Sequence, residues 1–146
     1  MASPEDRSAL RDLVEAYALA ADAKDYEAIA DCFTEGGRLV LFYDPEAAEP
    51  TAVRQGRAEI LEAMGNLARF TATSHLVGAH AARVEGDGAT GTTTCVASHV
   101  SVKGESRRML TMGIRYDDTF VRTEGGWRLE ERRLVTLWQE LRPMEG

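Results

Sequence analysis

Asp22 and His75 are the two residues of this chain best suited to do chemistry together. A carboxylate that accepts from one imidazole nitrogen fixes the tautomer of the ring and leaves the other nitrogen to take a proton. Asp22 stands in the run Tyr17-Ala18-Leu19-Ala20-Ala21-Asp22-Ala23-Lys24-Asp25-Tyr26, and His75 in Ser74-His75-Leu76-Val77-Gly78-Ala79-His80. They are far apart in sequence, so the pair forms only if two different elements deliver it to one cavity. His80 follows His75 by an odd number of residues. In an unbroken strand the two face opposite ways, and at most one belongs in a shared pocket. The three histidines and two cysteines show no short metal-ligand spacing, and no metal or cofactor is expected.

The elements that must position these residues can be read from periodicity. Ser3 suits a helix cap, Pro4 a first helical position, and Glu5 and Asp6 the positive end of the helix. Leu10, Leu13, Val14, Tyr17 and Ala21 then recur at helical spacing, so Asp22 falls at the end of this first helix. A second helix is expected from Asp25 to Phe33, with Ile29 and Phe33 inward, closed by Gly36-Gly37. Arg38 to Tyr43 reads as a strand and Asp44 to Thr51 as a loop. A third helix is expected from Arg57 to Leu67, with Ile60, Leu61, Met64 and Leu67 inward.

From Thr73 onward the pattern is one of strands and tight turns. Thr73–Val84 leads through Glu85-Gly86-Asp87-Gly88 to Ala89–Val102. Lys103-Gly104-Glu105-Ser106 turns the chain into Arg107–Arg122, and Thr123-Glu124-Gly125-Gly126 turns it into Trp127–Trp138. Helices followed by a meander predict an α+β domain whose sheet packs one face on the helices. Strand parity restricts who can share a cavity. In Arg107–Arg122 the even face carries Leu110, Met112, Ile114, Tyr116, Asp118 and Phe120, and is expected to be buried. In Ala89–Val102 parity does not decide between the face with Cys95, Ala97 and His99 and the one with Thr94, Val96 and Ser98. Asp117-Asp118 sit on opposite faces and read as solvated carboxylates rather than an acid–base pair.

Bulk properties narrow the function classes. The chain has 146 residues, 44% hydrophobic and 28% charged, as expected for one soluble globular domain over residues 1–146. A net charge of −7 argues against a nucleic-acid partner. No apolar run approaches a membrane span, and the N-terminus lacks the pattern of a secretion signal, so a cytoplasmic location with reduced Cys32 and Cys95 is expected.

Two phrases carry a resemblance that covers residues 6 to 140. The first is Tyr17 to Tyr26 leading to Cys32-Phe33-Thr34. The second is Tyr116-Asp-Asp-Thr-Phe-Val-Arg122-Thr-Glu-Gly-Gly-Trp127-Arg128-Leu129. In this order they resemble the SnoaL-like branch of the nuclear transport factor 2-like superfamily, which includes dehydratases, dehydrochlorinases, polyketide cyclases and isomerases. The resemblance implies a cone: a curved antiparallel sheet around a pocket, closed by three N-terminal helices. It implies that Asp22 and His75 form the dyad of the dehydratase-like members, with His75 as base. His99 matches a second pocket histidine of scytalone dehydratase. Tyr116 stands where that enzyme has an asparagine. His99 and Tyr116 are then expected to donate to the oxygen where charge develops, or to protonate a leaving hydroxyl.

Ala21 and Leu41 replace tyrosines that hold a water on the substrate carbonyl of that enzyme, which implies a different substrate. Tyr17, Leu41, Met112, Arg122 and Trp138 are expected on the pocket wall, Arg122 by likeness to the pocket arginine of the dehydrochlorinase. Family habit also implies a homodimer through the outer sheet face, with trimers as the variant. The implied activity is that of a cofactor-independent lyase, isomerase or cyclase acting on a small apolar substrate. Two further readings stay open, a binding or assembly module and the small subunit of a ring-hydroxylating dioxygenase.

Overall fold

The computed structural model describes residues 2–145. The first helix, α1, spans Pro4–Ala23, capped by the Ser3 hydroxyl, which accepts from the Asp6 amide at 3.0 Å. Leu10, Val14, Tyr17 and Ala21 form its buried stripe, as the spacing predicts. It ends at Lys24, which adopts the left-handed conformation at φ 55° while its ammonium reaches the Phe70 carbonyl. The second helix, α2, spans Tyr26–Asp31, with Asp25 accepting from the Ala28 amide at 3.1 Å. It is shorter than expected because Phe33 leaves the helix to pair with Leu129 and open β1, Phe33–Phe42.

A short edge strand that the sequence reading did not anticipate, β2, covers Ala52–Gln55. The third helix, α3, spans Arg57–Met64 and tightens into a 3₁₀ turn at Gly65–Arg69. Four long strands follow: β3 (Ala72–Glu85), β4 (Gly88–Lys103), β5 (Ser106–Thr123) and β6 (Gly126–Met144). The six-stranded sheet runs β2-β1-β6-β5-β4-β3. It is antiparallel except at β1 and β6, which lie parallel. The architecture is therefore α+β, with the curved sheet wrapping its concave face around the helices.

The core fills that concave face, where Leu10, Val14, Ile29, Leu39, Ile60, Phe120 and Leu129 are almost fully enclosed. Each such side chain contributes roughly 1.5–3 kcal/mol by leaving water. No helix among the described residues is long and apolar enough to cross a membrane.

Three irregularities decide which side chains point inward. In β3 the register shifts between Val77 and His80, and the bulge is held by the Thr94 hydroxyl, which accepts from the Ala79 amide at 2.9 Å. In the β5–β6 pair, extra residues sit at Glu130 and Leu137. Each extra residue flips the parity of everything beyond it.

Candidate functional site

The end of α1 and the start of β3 meet at Asp22 and His75. The His75 Nδ1 lies 2.7 Å from Asp22 Oδ1, and the His75 amide donates to Oδ2 at 2.9 Å. The Thr73 hydroxyl donates to Oδ1 at 3.0 Å. The carboxylate thus accepts three hydrogen bonds from one strand end, which fixes its orientation. A carboxylate can only accept, so Nδ1 carries the hydrogen and Nε2 keeps its lone pair in the neutral ring. The His75 side chain is 8% exposed and the Asp22 side chain 26%, so the dyad sits at an opening rather than in sealed core.

His99 joins this group from β4, whose odd face turns inward with Cys95 and Ala97. Its ring centroid lies 5.8 Å from that of His75 and 4.8 Å from that of Phe70. Nδ1 lies 3.2 Å from the Leu110 carbonyl, which can only accept, so this nitrogen also carries the hydrogen. Burial pushes the His99 pKa down; the Leu110 contact opposes this and His75 adds to it. In its neutral form His99 therefore offers an acceptor at Nε2, not the donor expected from the sequence.

Tyr116 faces inward as parity predicts, but it belongs to the floor. It lies two rows deeper than Met112, which shares a row with Ala97 and His75. Burial drives its hydroxyl pKa well above the ordinary value, so it stays protonated. Tyr17 crosses it at 5.9 Å between centroids and is likewise buried and neutral. Leu41 and Met112 face the concavity and pack against the core. They remain partly exposed, as do Leu134 on the sheet and Leu61, Met64 and Leu67 on the helical side. These apolar side chains pack against the core without being sealed into it.

Two expected wall residues lie elsewhere. Trp138 sits 51% exposed on the convex face, because the extra residue at Leu137 turns it outward to stack against Gly113. Arg122 pairs with Asp6 at 2.8 and 3.1 Å and covers the Trp127 ring at 4.4 Å. It lies at the other end of β5, about 33 Å of strand from Met112 at 3.3 Å per residue. His80, by contrast, is brought inward by the β3 bulge and meets the Thr93 hydroxyl at 2.8 Å. Both His75 and His80 therefore face the interior, against the expectation of strict alternation.

The feature sequence reasoning missed is a buried ion pair beneath the floor. Arg132 donates to both oxygens of Asp118, at 2.8 and 2.9 Å, and both side chains are wholly enclosed. The guanidinium packs against the rings of Tyr116, at 3.8 Å, and Tyr17, at 4.3 Å, which meet edge to face. Asp118 is buried rather than solvated, and its place on the even face between Tyr116 and Phe120 is the signal in the sequence for that burial. Arg132 hides in Glu130-Glu131-Arg132-Arg133, which looks like a surface charge run until the bulge turns it inward. Among the described residues no group of three or more histidine, cysteine or acidic side chains is placed to hold a metal ion.

A curved, mostly antiparallel sheet wrapped around N-terminal helices is the fold of the nuclear transport factor 2-like class. The SnoaL-like domain model matches residues 2–133, and the chain belongs to that family. An uncharacterised protein of Mycobacterium tuberculosis is 27% identical over 143 residues, 97% of this chain and 92% of the relative. A crystal structure from Novosphingobium aromaticivorans, provisionally named an aromatic ring hydroxylase, is 30% identical with a TM-score of 0.82. It covers 99% of this chain and 96% of its own. A second from that organism, provisionally named a scytalone dehydratase, is 22% identical with a TM-score of 0.77, covering 92% and 85%. The latter likeness is one of fold.

Proposed function

We propose that this chain is a cofactor-independent lyase, isomerase or cyclase that abstracts a proton from carbon in a small, largely apolar substrate. The observation that carries the reading is the 2.7 Å contact between Asp22 and His75, with Asp22 held by two further donors. In this reading His75 Nε2 takes a proton from carbon beside a carbonyl or a leaving group. Asp22 holds the productive tautomer and stabilises the imidazolium that forms, as the aspartate does in a serine-protease triad. His99, neutral and accepting at Nε2, receives a hydrogen bond from a substrate hydroxyl. Leu41, Met112 and Leu134 with the α3 side form the apolar wall, and Tyr17 and Tyr116 the floor.

Hydroxy- and halo-substituted cyclic ketones are the substrates to screen for elimination. His75→Ala should lower turnover by about 10²–10⁴-fold, the worth of a positioned general base, with an unchanged circular dichroism spectrum. Full turnover in that variant would remove His75 from the mechanism.

The name attached to the 30% identical structure favours a second reading, a subunit of a ring-hydroxylating assembly. It predicts copurification with a larger iron-containing chain and no elimination activity alone. In the first reading the working unit is a homodimer formed through the convex face, where Leu76, Val96 and Trp138 lie exposed along one row of the sheet.

A further inference from the structure

Lys24 is the one residue besides glycine, among those described, that adopts a left-handed backbone, at φ 55°. It ends α1, where the Lys24 amide donates to the Ala21 carbonyl at 3.2 Å and the Asp25 amide to the Ala20 carbonyl at 2.9 Å. That pair of bonds closes a helix most easily with glycine, because a Cβ is crowded in this conformation. Lysine is disfavoured there by its backbone, and an outlier of this kind beside a site invites a functional account.

The side chain supplies one. Lys24 stands two residues beyond Asp22, and its ammonium donates to the carbonyl of Phe70. Among the described residues this is the only side-chain hydrogen bond that reaches the connection 65–71. At its end the Phe70 amide donates to Leu67 at 3.1 Å, within the same turn, and the Thr71 amide to Val100 at 2.8 Å. Phe70 is 9% exposed, and its ring packs on His99 at 4.8 Å between centroids, tilted by 49°. His99 in turn meets the His75 ring edge to face at 5.8 Å, and Arg69 lies over the Phe70 ring at 4.7 Å. One contact from the end of α1 therefore anchors the segment that packs against the two histidines.

We propose that Lys24 is a positioning residue, a latch that seats Phe70 against His99 and keeps water from the histidine pair. The same helix end then supplies the carboxylate of the dyad and holds the cover of its neighbour. Burial is the main cause that lowers the His99 pKa; His75 and Arg69 add to it, while the Leu110 carbonyl and Asp22 oppose it. Phe70 contributes to that burial. Releasing the latch lets water reach the ring, so that His99 titrates nearer the ordinary 6.5.

Any effect of the latch on turnover rests on the proton-abstraction reading, but the latch itself is tested without substrate. Lys24→Gly removes both the backbone strain and the donor, Lys24→Met removes the donor alone, and Lys24→Arg keeps both. By NMR, the His99 ring should titrate at higher pH in the glycine and methionine variants and as in the wild type in the arginine variant. The Thr71 amide should exchange roughly tenfold faster in the first two, the worth of one charge-assisted hydrogen bond. Both readouts are needed, since loss of the lysine charge alone moves the titration but not the amide. Lys24→Gly relieves the left-handed strain and should melt no lower than Lys24→Met, so a change shared by both is not a loss of fold. Unchanged Thr71 exchange or an unchanged His99 titration in these two variants overturns the proposal, as does an arginine variant that behaves like methionine. If His75→Ala keeps full turnover while the latch readouts stand, the proton-abstraction reading falls and the latch remains. The converse result sinks the latch alone.

Discussion

Removing Asp118 tests whether the floor of the cone is organised as the geometry says. In Asp118→Leu the Arg132 guanidinium keeps its place against two tyrosine rings but loses both oxygens that neutralise it. It cannot escape by shedding its proton. Burial by itself lowers its pKa, yet the adjacent Asp118 charge holds the value above the ordinary one, and an isolated guanidinium stays protonated far beyond neutral pH. Breaking a buried pair from one side costs about 3–5 kcal/mol.

The two cation–π contacts, about 0.5–2 kcal/mol each, are present before and after the substitution and so offset none of this loss. For a chain of this length the loss corresponds to a fall in Tm of roughly 10–20 °C. The double variant Asp118→Leu with Arg132→Met removes both charges and should return to within about 2 kcal/mol of the wild type. Urea denaturation of the two single variants and the double variant closes the cycle, with a coupling of at least about 2 kcal/mol expected. A change of less than about 3 °C in Asp118→Leu, at the 2–4 °C per kcal/mol typical of larger domains, would refute the reasoning. It would mean that the guanidinium finds water or another acceptor.

Further outcomes follow from the site and the sheet. Asp22→Asn should disturb the His75 tautomer, read as loss of the Nδ1-protonated pattern in ¹⁵N spectra, and should depress turnover by up to about 10⁴-fold. Burial lowers the pKa of both His80 and His99 below the ordinary 6.5, with Arg11 adding to the shift of His80. The unfolded chain then binds more protons than the native one below that value. Stability contributed by these two rings should be full above pH 6.5, fall as pH drops beneath it, and level off below the depressed pKa values, as urea midpoints will show. His80→Asn and His99→Asn should flatten that slope. A Cβ at residue 113 would come within 2.1 Å of the Trp138 ring, so Gly113→Ala should swing the exposed indole off the convex face. The expected result by light scattering is a shift from dimer toward monomer with little loss of Tm; an unchanged dimer would place the interface elsewhere.

The sequence alone determined the fold class and most of the elements, because these depend on local periodicity. The edge strand β2 and the start of β1 at Phe33 came from strand pairing. The apolar stripe from Leu10 to Ala21, the Ser3 cap, and the Gly-containing turns at 86, 104 and 125–126 each act within a few residues. Membership of the family followed from phrases that span the chain, and the juxtaposition of Asp22 and His75 was inferred through that resemblance rather than from spacing. Tertiary structure decided what parity leaves ambiguous. One extra residue in β3 brought His80 inward, and one at Leu137 sent Trp138 to the convex face. An extra residue at Glu130 carried Arg132 from an apparent surface run into the core against Asp118. Bulges leave almost no local signature, yet each reverses every side chain beyond it. The direction of the His99 hydrogen bond was equally beyond the sequence, since it depends on a carbonyl from a neighbouring strand that only the register of β4 and β5 puts in reach.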